Sequence, residues 1–437
     1  MKRGGAALLI FLIALTVYGA SAGRAFKTVD TASVGVSSWR IADTGSPSIR
    51  DLTPQSLAQV PYTKLWTSTN ARTGDPVIAR DVGAVAAAIP AYAIASIVAP
   101  STRDHVTSLP ASLTAALLAA VALALLMLAT EGLVPDRVRV LGVLALGFTT
   151  PFWSIAGHDL WPQTLTALSL AGMAWGARRE RWLLVGLFGA IGVLGRLHFA
   201  IAVAVVGIAI ALVRRRPSIA IRVAVGSLPA LALSVVWTRW VYGVWGLTAG
   251  YQMGDLNSWA SSQSIGDRVS SVLGMFLSPG VGIFVWTPAI ALLLPALWRS
   301  RRTLPDWTLA LAAGSFAYML VQLWLNPLSG GTGFWGYRIS LELVVGCAPA
   351  LIAAAPAAGR LARVLLPIAV GAEGGMIVLG SVFGLVTSTG DPWHASVLWY
   401  VVQTSWTVVA VFMAAGVAAT YVGLSMTKPE RRVGLAV

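Results

Sequence analysis

The side chains best suited to chemistry are a few acids and bases in the segments that separate long apolar stretches. Asp30 follows the first apolar stretch directly. A carboxylate at a membrane surface can serve as general base toward an alcohol. A structural alternative is that Asp30 caps the short amphipathic helix predicted after it. Asp43 is a second candidate for the base and Asp51 a third, although the turn-like sequences around both favour structural roles.

Two further pairs lie in predicted turns on the same side of the membrane. His158 and Asp159, in GHDLWPQ, form an ionisable pair at the membrane edge, where such residues are usually functional. Asp159 is equally suited to capping the following helix. Arg196 and His198, in RLHF, offer a guanidinium whose planar fork suits a phosphate. The alternative for Arg196 is an ordinary contact with lipid headgroups.

The segment NPLSGGTGFWGYRIS, at 326–340, is the most distinctive in the chain. Its glycines permit tight backbone turns, and Trp335 and Tyr337 suit a membrane interface. Arg338 lies on the predicted outer side, against the usual distribution of basic residues, so we expect it to bind a phosphate or a lipid headgroup. Glu342 follows one turn later, which predicts an ion pair with Arg338.

Metal and cofactor chemistry is not indicated. No pair of His or Cys has the spacing of zinc ligands, and the single Cys347 excludes an internal disulfide. The sequence contains no phosphate-cradling glycine loop and no nucleophile elbow. We therefore expect a mechanism without a cofactor, with a divalent cation left open. Glu373, predicted inside a helix, has no second buried acid with which to form a proton relay.

The composition determines the kind of molecule that positions these residues. The 437 residues are 57% hydrophobic and 11% charged, whereas soluble domains carry about 25% charged residues. Apolar stretches of about 20 residues separated by short basic loops predict an all-α, polytopic transmembrane protein. The net charge of +14 then belongs to loops beside anionic lipid, and nucleic acid is not expected as a partner.

The basic clusters fall on one side of the membrane only if 83–100 is an interfacial or re-entrant element and not a span. This gives about 12 spanning helices with both termini in the cytoplasm. The first stretch also resembles a cleaved signal peptide, although it is long enough to span. Segments at 62–74 and 75–81 carry strand-like patches. The predicted parts are a first transmembrane helix (1–23), a large external loop with interfacial helices (24–110), helices 2–7 (111–238), a second external loop (239–280), helices 8–12 (281–420) and a cytoplasmic tail (421–437).

This organisation resembles the C-type polytopic glycosyltransferases, which include protein O-mannosyltransferases and bacterial aminoarabinose and arabinofuranosyl transferases. The resemblance rests on the large loop with an acid near its start, the number of spans, and the local sequences at 271–288 and 330–344. The chain departs from that pattern in lacking an acidic pair after the first helix, a His-Pro-Pro-like element and a soluble C-terminal domain.

The resemblance implies that Asp30 is the catalytic base. It also implies a sugar donor linked to a polyprenyl phosphate, with Arg338 as the first candidate to bind the phosphate and Arg196 and His158 as further candidates. Transfer to a glycan, lipid or protein acceptor would invert the anomeric centre on the external face of a bacterial, actinobacterial-like plasma membrane. Two other classes stay open: a transporter or flippase of lipid-linked saccharides, and a non-catalytic component of envelope assembly.

Overall fold

The computed structural model is mostly helical over the residues that it describes, namely 4–60, 65–249, 260–331, 333–383, 385, 391–394 and 397–426. The helices are, in chain order, α1 (Gly5–Ala20), α2 (Val29–Thr44), α3 (Val82–Val98), α4 (Leu109–Ala129), α5 (Asp136–Thr149), α6 (Pro162–Arg178), α7 (Trp182–Gly195), α8 (Ala200–Val213), α9 (Pro217–Tyr242), α10 (Ile265–Leu277), α11 (Ile283–Trp286), α12 (Pro288–Ser300), α13 (Asp306–Leu325), α14 (Leu341–Ala354), α15 (Arg360–Phe383) and α16 (Val397–Met426). A π-helical turn, Phe152–Gly157, follows α5.

Proline and glycine mark the ends of several helices. Pro162 and Pro217 lie in the first turns of α6 and α9, where a missing N–H costs nothing. Helix α9 ends at Gly243, whose φ of 76° is the left-handed conformation that glycine adopts most readily. Gly186 of α7 and Gly226 of α9 let their backbones meet, because a Cβ on either would overlap the other helix. Small residues at such crossings are typical of helices packed within a membrane.

Five helices of the described chain are long and apolar enough to cross a membrane, namely α4, α9, α13, α15 and α16. Six shorter apolar helices accompany them, and the polytopic helical architecture predicted from sequence is confirmed. The stretch predicted as interfacial or re-entrant forms α3, a continuous helix of 17 residues despite Pro90. At about 1.5 Å per residue it is roughly 25 Å long, and its position in the membrane stays a prediction.

The first loop folds against the ends of the helices. A two-stranded antiparallel hairpin pairs β1 (Thr67–Thr69) with β2 (Pro76–Ile78), which lie in the two segments with strand-like patches. The sequence did not predict their pairing. Buried Asn70 fixes the hairpin by donating to the carbonyl oxygen of Val241 in α9, at 2.9 Å. The Tyr242 hydroxyl accepts the N–H of Arg80 at 2.9 Å and donates to its carbonyl oxygen at 2.8 Å. The backbone of Arg80 is thereby fixed beside α2.

Candidate active site

Asp30 lies in the first turn of α2, where its carboxylate faces other elements of the protein. The helix is capped by Thr28, whose hydroxyl oxygen accepts the N–H of Thr31 at 3.1 Å. The capping interpretation of Asp30 is therefore wrong. Its side chain is 28% exposed and contacts residues of the first loop and of the segment before α14.

Three donors hold this carboxylate. Asp30 Oδ1 accepts from Arg80 Nη2 at 2.5 Å and from the indole N–H of Trp66 at 3.0 Å. Asp30 Oδ2 lies 3.0 Å from Arg338 Nη2. Burial by itself raises the pKa of Asp30, but the charges of Arg80, Arg338 and Arg196 and the Trp66 hydrogen bond outweigh it, so that the pKa lies well below its ordinary value. The group is a carboxylate at neutral pH.

Arg338 is held in place from its other side by an aromatic ring. Its guanidinium carbon lies 4.4 Å from the centre of the buried Trp161 ring, a cation–π contact. Burial lowers the pKa of Arg338 to about 10 although Asp30 opposes the shift, so the side chain keeps its charge at neutral pH. The predicted ion pair with Glu342 is absent from the described contacts, because Arg338 pairs with Asp30 and Glu342 accepts from the Thr166 hydroxyl at 2.9 Å.

The backbone before Arg338 is anchored in the helical bundle. Trp335 donates its indole N–H to the carbonyl oxygen of Met376 at 2.9 Å, and the Tyr337 hydroxyl lies 3.1 Å from that of Thr287. Both aromatic side chains are fully buried. Their predicted contact with substrate stays a prediction. In this conformation their polar atoms bind the protein and fix the position of Arg338.

Two glycines of this segment are required by close packing. Gly333 has a φ of 83°, and a Cβ there would overlap Thr28 and the carbonyl group of Lys27. Gly336 has a φ of 105°, and a Cβ there would overlap Pro151. Both backbone conformations disfavour other residues. The segment thus joins the start of α2 to the turn after α5, and the two charged partners Asp30 and Arg338 are brought together.

Arg196 and His198 belong to a polar group beside this site. Arg196 Nη1 donates to Gln322 Oε1 at 2.6 Å, and Gln322 Nε2 lies 2.5 Å from His198 Nε2 and from the Tyr318 hydroxyl. The charge of Arg196 acts on both Asp30 and Arg338. The charge of Arg196 thus reaches the Asp30 site, and Gln322 links Arg196 to His198. The substrate-binding role predicted for Arg196 and His198 stays a prediction.

His158 and Asp159 form a separate buried cluster with Lys27. The His158 Nδ1 atom lies 3.3 Å from Asp159 Oδ2, and Lys27 Nζ lies 3.5 Å from His158 Nε2 and 4.0 Å from Asp159 Oδ2. Burial lowers the pKa of Lys27, while the charge of Asp159 opposes that shift. The helix after this pair is not capped by Asp159, since Trp161 occupies the cap position. The substrate-binding role predicted for the pair remains a prediction.

The competing acids Asp43 and Asp51 form no ion pair with Arg80 or Arg338 among the described residues. Asp43 is exposed near the far end of α2, about 20 Å along the helix axis from Asp30 at 1.5 Å per residue. Asp51 is 65% exposed and paired with Arg40 at 2.5 Å. Within the described residues, no group of three or more His, Cys, Asp or Glu side chains could hold a metal ion.

Sequence reasoning missed Arg80, Trp66, Gln322 and Lys27 as parts of these clusters. The sequence did not single out Arg80, because the predicted external loop 24–110 contains eight basic residues. Trp66 and Gln322 carried no signal either, since their contacts depend on how the hairpin and α13 pack. The geometry joins residues from α2, the hairpin, the turn after α7 and the segment before α14 around one carboxylate.

Comparisons with known proteins bear on the fold. No family model and no curated protein matches the sequence. Among solved structures, the chain is similar to the crystal structure of ArnT from Cupriavidus metallidurans in the apo state, with a TM-score of 0.51 and 16% sequence identity. The match covers 95% of this chain and 76% of the ArnT chain. The chain therefore has an ArnT-like polytopic helical fold.

Proposed function

We propose that the protein is a membrane glycosyltransferase that moves a sugar from a polyprenyl-phosphate donor to an acceptor hydroxyl, with Asp30 as general base. The observation that carries the proposal is the site itself: one carboxylate held between Arg80 and Arg338, with Arg196 close enough to act on it. The ArnT-like fold supports it, because ArnT is a C-type glycosyltransferase.

The charge at the site favours an anionic ligand. The guanidinium groups of Arg80 and Arg338 contact the single Asp30 carboxylate, and the charge of Arg196 acts on it from a greater distance, so two positive charges exceed what Asp30 neutralises. Glu342 lies deeper and interacts with Arg196 and Arg338, and even an ionised Glu342 leaves one positive charge in excess. Guanidinium groups bind phosphate through paired hydrogen bonds, which a lipid phosphate would satisfy.

The proposed reaction uses the carboxylate and the arginines in separate roles. Asp30 takes the proton of the acceptor hydroxyl as its oxygen forms a bond to the anomeric carbon. The bond from that carbon to the phosphate oxygen breaks, and polyprenyl phosphate leaves with the electron pair. Arg80, Arg196 and Arg338 stabilise the charge of the leaving group. Attack from the opposite face inverts the anomeric centre, and Asp30 releases its proton to water.

The ion pairs have to change before Asp30 can act as a base. Both carboxylate oxygens accept hydrogen bonds from arginines in the structure, which makes Asp30 a weak proton acceptor. A phosphate that takes over Arg80 and Arg338 would release the carboxylate toward the acceptor. Donor binding would then activate the base, so acceptor attack would follow donor binding.

A transporter of lipid-linked saccharides is the alternative, and the environment of Glu373 argues against it. A relay would need a polar group free to exchange protons within the membrane. Glu373 Oε1 instead accepts the N–H of Ala289 at 2.6 Å, in the first turn of α12. The carboxyl group thereby satisfies a backbone donor of a broken helix, which is a structural role.

The test is a transfer assay on the full chain in nanodiscs, with a panel of polyprenyl-phosphate sugars and an envelope extract as acceptor. Release of polyprenyl phosphate is measured for wild type, Asp30→Asn and Asp43→Asn. We expect Asp30→Asn to lower turnover by about 10²–10⁴-fold and Asp43→Asn to behave as wild type. Full activity of Asp30→Asn would refute the base assignment, and no donor consumed by wild type would favour the transporter or scaffold.

A further inference from the structure

Next to Arg338, the facing ends of α6 and α14 contain polar groups that the proposed phosphate site does not use. Gln163 is fully buried, and neither its amide oxygen nor its amide nitrogen has a hydrogen-bond partner among the described residues. The same holds, in that part of the chain, for Trp161 Nε1, Ser340 Oγ and Glu342 Oε2. We call these four residues the α6/α14 polar cluster.

Direct contacts join the two sides of the cluster. The Thr166 hydroxyl, one turn after Gln163, lies 2.9 Å from Glu342 Oε1 and 3.1 Å from the carbonyl oxygen of Gln163. Trp161 lies under the Arg338 guanidinium, and Arg338 is two residues before Ser340. The cluster is therefore continuous with the arginines that would bind the phosphate.

Such a concentration of unpartnered polar groups is unusual in a folded protein. Nearly all buried polar atoms form hydrogen bonds, because a buried donor or acceptor without a partner destabilises the fold. Inside a membrane domain the surrounding lipid offers no replacement. Four such side chains at one place, each less than a tenth exposed, indicate groups built to bind a ligand.

The chemistry of the cluster selects the ligand. An amide and a hydroxyl both donate and accept, the indole N–H only donates, and the Glu342 oxygen accepts when ionised. A phosphate has only acceptors and would leave the acceptors of the cluster without partners. A sugar hydroxyl donates and accepts at once, so a ring bearing several hydroxyls can match this mixture.

We propose that the α6/α14 polar cluster binds the sugar of the donor through neutral hydroxyl groups, while the neighbouring arginines bind its phosphate. This inference rests on the proposed function. The sugar and the phosphate are adjacent in the donor, and the α6/α14 polar cluster and the arginines proposed to bind them are adjacent in the protein.

Entry of the sugar requires a local movement. Arg338 covers one side of Trp161, and the Phe334 ring stands edge-on to it with ring centres 6.4 Å apart. Both covering residues belong to the segment 333–338, whose Gly333 and Gly336 have positive φ angles. When the donor phosphate replaces Asp30 as the partner of Arg338, the Arg338 side chain would move and uncover Trp161 in the same step.

The experiment compares two lipids on the full chain in nanodiscs. Equilibrium binding is measured for radiolabelled undecaprenyl phosphate and for undecaprenyl phosphates that bear glucose, mannose or arabinofuranose. The variants are Gln163→Leu and Ser340→Ala. Ser381→Ala is the matched control, because its hydroxyl is also buried without a partner among the described residues but lies on α15, outside the cluster.

We expect wild type to bind at least one sugar-bearing lipid more tightly than the bare lipid phosphate. Gln163→Leu should weaken binding of that lipid about tenfold and Ser340→Ala about threefold, as expected for two hydrogen bonds and one. Binding of bare undecaprenyl phosphate should stay within about twofold for both variants. Ser381→Ala should change neither affinity.

The outcomes separate this inference from the proposed function. If the bare lipid phosphate binds but no attached sugar strengthens binding, or if Gln163→Leu weakens both lipids equally, the sugar site is refuted and the phosphate site stands. If neither kind of lipid binds the wild-type protein, both the sugar site and the proposed function are refuted. Gln163→Leu could instead leave the affinities for both lipids unchanged and raise the melting temperature. The unpartnered polar groups would then only destabilise the fold, and the proposal would also be refuted.

Discussion

Replacing Asp30 by Asn should weaken catalysis and strengthen donor binding at the same time. The substitution keeps the shape of the side chain and removes its charge. Arg80 and Arg338, bound to Asp30 at 2.5 and 3.0 Å in wild type, would then be held only by a neutral amide. A donor phosphate would no longer compete with a carboxylate for them.

The magnitude follows from the bonds that are exchanged. A hydrogen bond to a charged group contributes about 1.5–3 kcal/mol, and the Asn side chain retains part of it. A net difference of about 1–3 kcal/mol corresponds to roughly 5- to 150-fold tighter binding of the lipid phosphate. Turnover should fall by about 10²–10⁴-fold, because no base is left. Loss of the counter-ion should also destabilise the fold, by up to about 3–5 kcal/mol.

The assay is equilibrium binding of radiolabelled undecaprenyl phosphate in nanodiscs, together with turnover and thermal unfolding. Asp51→Asn is the matched control, since it removes an Asp–Arg pair of similar length at an exposed position. The control should leave affinity and turnover at wild-type values. Equal or weaker lipid-phosphate binding by Asp30→Asn would refute the exchange of arginines between carboxylate and phosphate.

Three further predictions concern the same residues. Arg338→Lys should weaken undecaprenyl phosphate binding about tenfold, because an ammonium lacks the planar fork and the stacking on Trp161; an unchanged dissociation constant would contradict this. Gly380→Ala should lower the melting temperature measurably, since its Cβ would overlap the buried Trp335 indole, whereas Gly423→Ala, with open space around it, should not. The depressed pKa of Asp30 means that its ion pairs stabilise the fold above its ordinary pKa of about 4 and that this contribution is lost as pH falls toward the folded-state pKa. The difference in melting temperature between wild type and Asp30→Asn should therefore be constant from about pH 8 to 5 and shrink only below about pH 4, and a decline already at neutral pH would contradict the assignment.

Composition and apolar periodicity were enough to predict a polytopic helical protein, because a membrane permits few backbone arrangements. They also placed Asp30, Arg196 and Arg338 on one predicted side. In the structure Asp30 contacts Arg338 directly, and Arg196 acts on both through its charge. An outward position drew attention to Arg338 but could not distinguish Arg80 from the seven other basic residues of the loop 24–110. The hairpin was foreseen only as strand-like patches, since two short strands carry little pattern.

The remaining parts of the site depend on tertiary packing. Trp66 reaches Asp30 because the hairpin folds back over α2, a contact between residues 36 positions apart. The helix cap is Thr28, two positions before the Asp30 that the sequence offered as a cap. An error of this size is usual when helix ends are assigned. The predicted pairing of Arg338 with Glu342 assumed that the helix starts at Arg338, whereas α14 begins at Leu341.

The ion pair between Asp30 and Arg338 also has a consequence for biogenesis. Asp30 belongs to the second helix of the chain, whereas Arg338 is synthesised about 300 residues later. At about 5–20 residues per second, a ribosome takes roughly 15–60 s to cover that distance. During this interval Asp30, in the nascent first loop, has no Arg338 with which to form its ion pair. The pairing of Gly333 with the start of α2 can form only after α1 to α13 have been synthesised, so a chain truncated before Gly333 would present Asp30 without its Arg338 partner.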